Sequence, residues 1–233
     1  MKFQLLEDFL KANLNHLQEA QLSFSNKFIN DQQSALLGAK LKNCKHLENL
    51  FINLSGNNIG TYGITHIANG IGSCLKLQKL DFTITGFSFI QINSQNHIDS
   101  KGAIFLGKNL GLCVNLVSLS INLENNQIGD IGAFNLVKDL NRCKYLQSIE
   151  LGNAIKKQGG YDIGASLRKM TNLQMLHLEL RQNIFLIILT YLVNMKLQSN
   201  TVQRCFWSRR RNITLLKFDR FKIVFRVILI QIY

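Results

Sequence analysis

"LVSLSINLENNQIGDIGAFNLVKDLNRC" runs from Leu116 to Cys143 and carries two periodicities. Over Leu116–Leu123 apolar and polar residues alternate, which is the period of a strand with one buried face. Leu136 and Leu140 are four apart, which is the spacing of a helix face. Between them stand Asn126, Ile128 and Gly132, and Cys143 closes the unit. Taken alone, the doubled asparagine, the glycines, the acid and the cysteine could suggest a phosphate loop or half of a metal site. Copies elsewhere in the chain decide otherwise.

Cys44, Cys74, Cys113 and Cys143 are each followed three residues later by a leucine: Leu47, Leu77, Leu116 and Leu146. The intervals are 30, 39 and 30 residues, and a further unit follows after 27, with Met170 in the cysteine place and Leu173 after it. Behind each leucine comes an alternating run: 47–54, 77–84, 116–123, 146–151 and 173–180. Then come an asparagine, an apolar residue and a glycine at fixed offsets: Asn57/Ile59/Gly63, Asn96/Ile98/Gly102, Asn126/Ile128/Gly132 and Asn153/Ile155/Gly159. Helix-spaced pairs complete the units at Ile67/Ile71, Leu106/Leu110, Leu136/Leu140 and Ile163/Leu167. The 39-residue interval holds an insertion near Gly86–Ser94, and a degenerate earlier unit begins near Leu17. A strand–turn–helix unit cannot bury its own apolar face, so units must stack. Parallel strands sit about 4.8 Å apart while packed helices need about 8–10 Å. That mismatch predicts an arc with strands inside and helices outside.

The pattern LxxLxIxLxxNxIGxxGxxxLxxxLxxC resembles a leucine-rich repeat of the ribonuclease-inhibitor-like subfamily. It is especially similar to the asparagine-rich, proline-poor leucine-rich repeat proteins of ciliates. The resemblance covers about residues 17–183. It implies an α/β fold, a right-handed leucine-rich repeat solenoid with a curved parallel sheet inside and helices outside. The expected organisation is an array over 1–183, with an N-terminal helix over 3–14 and five to six units, followed by an irregular basic, apolar segment over 184–233. Three units have two extra residues between the first leucine and the asparagine. Two residues preserve strand alternation, so longer strands are expected. The resemblance further implies that the repeat asparagines, Asn57, Asn96, Asn126, Asn153 and Asn183, turn inward and hydrogen-bond backbone as a structural ladder.

Composition agrees with a packed chain: 46% hydrophobic, 18% charged, no proline and 25 asparagines among 233 residues. Turns must therefore rest on Gly, Asn, Asp and Ser. Glu7 and Asp8 interrupt the apolar N-terminus, which argues against a secretory signal and for a cytoplasmic protein. The apolar run Ile184–Val193 is half the length of a membrane span. The net charge is +13, of which +8 lies in residues 196–233.

Catalytic and metal chemistry find little support. No two cysteines share a CxxC spacing, and one cysteine per repeat suits a buried thiol at a helix end. The glycines lack the third position of a dinucleotide loop and the GK[ST] of a phosphate loop. HRD and DFG are absent, so no kinase is carried. The five histidines are scattered and no HExxH occurs. We therefore expect no catalytic residue, no metal and no cofactor.

Function is expected on the concave face, where an unidentified protein would bind a monomeric scaffold. Strand positions alternating with the core place Phe51, Asn53, Asp81, Thr83, Ser120, Asn122, Glu124, Glu150, His177, Glu179 and Arg181 there. This face reads as mildly acidic against a basic helical back, and an ordinary solvated sheet is the alternative. Phe87, Phe89, Ile90 and Ile92 of the insertion read either as a contact loop or as a cover for a neighbouring unit. The tail mixes Phe206, Trp207, Arg209–Arg211, Lys217, Phe218, Arg220, Phe221, Lys222 and Phe225. It suits nucleic acid or an anionic membrane surface, a strand or helix packed on the array end, or an extension that does not fold stably. Regulation of a small GTPase is a third functional reading, without residue-level support.

Overall fold

The computed structural model describes residues 1–86, 96–152, 157–167, 169–170, 172–181, 205–208, 213–218 and 221–228, with backbone alone over 151–161 and from 176 onward. Strands and helices alternate. They are β1 (Lys2–Phe3), α1 (Leu6–Lys11), β2 (Glu19–Ser23), α2 (Asp31–Leu41), β3 (Asn49–Asn53), α3 (Thr61–Gly72), β4 (Lys79–Thr83) and α4 (Ser100–Leu110). Then follow β5 (Ser118–Asn122), α5 (Gly129–Asp139), β6 (Ser148–Gly152), α6 (Lys157–Leu167) and β7 (Met175–Arg181). The sheet order is β1-β2-β3-β4-β5-β6-β7-β10-β9-β8, and β1 to β7 are parallel throughout. A parallel sheet whose strands alternate with helices is an LRR-like architecture.

Alternation along each strand explains the layers. Leu50, Ile52, Leu80, Phe82, Leu119 and Ile121 are buried, while the residues between them lie half-buried or exposed on the other face. Successive helices α2 to α6 pack on one another and cover the apolar face with Leu37, Ile67, Leu106, Leu136 and Ile163. One sheet face is thus core and the other is open.

The helices come close because small residues stand where they touch. A Cβ on Gly70 would meet the Gly38 carbonyl oxygen at 2.5 Å, and one on Gly107 would meet Leu136 Cα at 2.6 Å. The repeat-fixed glycines are not turn residues. Gly63, Gly102 and Gly132 lie inside the first turns of α3, α4 and α5. A Cβ there would press on the preceding unit, for example on Asp31 Oδ1 at 2.5 Å or Ile64 Cγ2 at 2.8 Å. Left-handed backbone recurs on the residue before the ladder place, at Asn26, Gly56 and Asn125, with φ of 55°, 65° and 58°, and also occurs at Phe28 and Gly129. That is the separate job of the first asparagine in the doubled pair.

Several boundaries differ from the sequence expectation. The N-terminal helix is Leu6–Lys11, because Lys2–Phe3 pairs with Gln21–Leu22 as an edge strand. Phe3 and Phe9 then meet edge-on at 5.2 Å between ring centres. Strands β3 to β6 each have five residues, so the two extra residues do not lengthen them. They add a buried leucine (Leu54, Leu123) and the left-handed turn that follows it. The segment read as irregular contains three strands, β8 (Cys205–Ser208), β9 (Ile213–Phe218) and β10 (Phe221–Ile228). β10 pairs parallel with β7 over Lys222–Ile228, and β9 and β8 follow antiparallel. Cys205 opens β8 opposite Leu216. The unpaired edge that β7 would otherwise present is thereby occupied.

Candidate functional site

The candidate surface is the open sheet face, and strand register builds it. Parallel pairing without slippage sets Gln21, Phe51, Asp81, Ser120, Glu150 and His177 in one transverse row. Ser23, Asn53, Thr83, Asn122, Gly152 and Glu179 form the next row. Of His177, Glu179 and Arg181 the structure describes the backbone, which places them on β7.

Not every expected position is equally available. Asn53 Oδ1 accepts from Ser55 N and Asn122 Oδ1 accepts from Glu124 N, each at 3.0 Å, so both side chains are engaged in closing the strand ends. Glu124 lies past the end of β5 and is half-buried. Ser120 Oγ donates to Glu150 Oε2 at 3.4 Å, which ties two members of the central row together. Partial burial, with Glu150 nearby, raises the Asp81 carboxyl above its usual range; the Lys79 ammonium opposes the rise.

Lys79 was absent from the expected face, yet its parity is that of Asp81. It sits one row below, between Asn49 and Ser118. Its ammonium lies 5.0 Å from the centre of the Phe51 ring, a cation–π contact. Reading the alternation two residues further back would have found it. The acidic balance inferred for this face is correspondingly reduced. The central row therefore offers an aromatic ring beneath a cation, then two carboxylates, then a histidine position. The set offers contacts of mixed charge around one aromatic.

Behind the face runs a polar ladder. Asn57 Oδ1 accepts from Lys27 N and Ile29 N at 3.0 Å each, and its Nδ2 donates to Phe24 O and Leu54 O at 2.8 Å each. Asn96 accepts from Ile59 N and donates to Leu54 O and Thr85 O. Asn126 accepts from Ile98 N and donates to Ile84 O and Leu123 O. Each amide thus joins its own unit to the preceding one. Asn153, Asn183 and the insertion residues Phe87, Phe89, Ile90 and Ile92 lie outside the described residues.

The four repeat cysteines are buried free thiols. Cys74, Cys113 and Cys143 Sγ donate at 3.5 Å to Leu41 O, Ile71 O and Leu110 O at the end of the helix before. Burial raises these thiols to about 11 (Cys44, Cys143) and about 12 (Cys74, Cys113). Among the described residues no three His, Cys, Asp or Glu side chains gather as a metal set. No described helix is long and apolar enough to cross a membrane.

Comparison with known proteins returns little. No protein-family model matches the chain, and no curated protein matches it. Among solved structures, the chain is similar to leiomodin-1 actin-binding site 2, at a TM-score of 0.47 and 13% identity. The match covers 83% of this chain and 92% of that one. At this level the likeness bears on neither partner nor site.

Proposed function

We propose that the chain is a non-enzymatic scaffold that binds a protein partner across the open face of its sheet. The supporting observation is the register-aligned central row, uncovered by any described element, with Phe51 held under Lys79 beside Asp81, Ser120 and Glu150. Repeat sheets concentrate binding on such extended faces, and aromatic anchors commonly carry most of the affinity. In this reading the face is the concave side of a right-handed leucine-rich repeat solenoid of the ribonuclease-inhibitor-like kind, similar to those of ciliates. The protein would act as a cytoplasmic monomer without cofactor or metal.

Affinity capture from a cell lysate tests it. We expect proteins retained by the wild-type chain to be lost with Phe51→Ala, Asp81→Ala and Glu150→Ala combined. Equal recovery by the triple variant would sink the open-face assignment.

A second reading, binding of nucleic acid or an anionic surface through the tail, draws on Lys217, Lys222 and Arg226. These fall at one parity of the β9–β10 pair. Its mark would be affinity that drops steeply with salt and persists in the open-face variant.

A further inference from the structure

The turns that join each helix to the next strand all lie along one edge of the sheet. In-register strand starts at Asn49, Lys79, Ser118 and Ser148 place them there. Backbone bonds link the turns directly: Gln78 N to Glu48 O, Val117 N to Gln78 O and Gln147 N to Val117 O, each 2.8 Å. Asn115 Nδ2 also reaches Leu75 O at 2.8 Å. The four turns 42–48, 73–78, 111–117 and 141–147 hold five cations, Lys42, Lys45, Lys76, Arg142 and Lys144, against one acid, Glu48. All five cations are exposed and Glu48 is half-buried.

Cations at helix C-termini offset the helix dipole, and that alone accounts for charge here. It does not account for the apolar residues set among them. Leu75, Leu112, Val114 and Tyr145 are 58%, 46%, 48% and 62% exposed. The buried partners Cys74, Leu77, Cys113, Leu116, Cys143 and Leu146 in the same turns show that the core is already filled without them.

We propose that this edge docks on an anionic lipid surface, with Leu75, Val114 and Tyr145 entering the headgroup region and the five cations holding the acidic headgroups. Charge complementarity selects an anionic partner. The aliphatic side chains select lipid over nucleic acid, since they gain from an apolar layer and nothing from a phosphate backbone. Flat contact suits the geometry, because the turns stand in line. The site is distinct from the open face, and β10 begins on the same edge, where Lys222 stands opposite Met175 and Lys217.

Vesicle co-sedimentation of the full chain tests this, with phosphatidylcholine–phosphatidylserine vesicles against phosphatidylcholine alone. Wild type binds only the mixed vesicles. Lys45→Gln with Lys144→Gln lowers partitioning about thirtyfold, and Leu75→Ser with Val114→Ser lowers it roughly tenfold, both with unchanged thermal melting. In a Trp207→Phe background, Val114→Trp fluorescence is quenched by brominated lipid. That readout needs no loss of binding, so a poorly folding variant does not decide the question. The proposal is overturned if wild type ignores mixed vesicles, or if both edge variants bind as wild type does. It is equally overturned if Lys217→Gln with Lys222→Gln removes binding that the edge variants retain. Edge-dependent binding of soluble polyglutamate without vesicle binding would replace the lipid with an acidic protein segment.

Discussion

Asn57 shows how much one side chain carries. Its amide satisfies two backbone N–H groups and two carbonyls in the core between units. Truncating it takes this partner from Lys27 N, Ile29 N and Phe24 O, while Leu54 O keeps Asn96 Nδ2; an unsatisfied buried group costs about 1–3 kcal/mol. We expect Asn57→Ala to lose about 2–4 kcal/mol by urea denaturation; a shift under the error of the midpoint would refute the ladder as a stabilising device. Asp81 works in the other direction. Its folded-state carboxyl is raised, so the folded chain holds that proton more tightly than the unfolded chain. Stability from this site is therefore gained as pH falls through the raised value and is withheld at neutral pH. Asp81→Asn should stabilise at pH 7, with the gain shrinking toward acid pH. The ladder residues were legible from repeat spacing, but the cross-unit partners of Asn57 were not, since they lie 28 to 33 residues away.

At the scale of elements, helix spacing and helix ends set the limits. Gly107 faces Leu136 Cα of the next helix, so Gly107→Val must push α4 from α5. We expect a loss of about 2 kcal/mol or more, seen as a lowered denaturation midpoint with β-sheet circular dichroism retained. The thiols at the helix ends belong to the same contacts. Raised to about 11 to 12, they stay protonated when folded, whereas an unfolded thiol ionises near its ordinary value of 9.0. Stability is thus unaffected below that value and falls as pH rises from about 9 toward 12. In a Cys205→Ser background, alkylation at pH 8 should label none of the four until denaturant is added. Rapid labelling of the folded chain would contradict their burial. Sequence periodicity located the cysteines and Gly63, Gly102 and Gly132, which a turn role does not explain, but it passed over Gly107. Only the packed neighbour reveals a missing Cβ as a contact.

For the whole molecule, the new element is the continuation of the sheet past β7. Pairing of Lys222–Ile228 with Met175–Arg181 makes the C-terminal strands an end piece of the array. Amide exchange checks this: β10 should exchange as slowly as β7. Fast exchange over 221–228 with a protected β7 would remove the pairing. The open face and the basic edge then occupy different sides of the same stack, so a partner protein and a lipid surface could be held at once.

Sequence alone determined the unit, because repeat spacing records the two periods that burial imposes on strand and helix. It also placed Phe51, Asp81, Ser120 and Glu150 on one face, since alternation forces that outcome once the core residues are assigned. Tertiary structure decided what alternation does not encode. It set Lys79 over Phe51, sent the extra residues into left-handed turns, pressed helices together at glycines and joined β10 to β7. Each of these depends on contacts between residues far apart in the chain, where local periodicity carries no information.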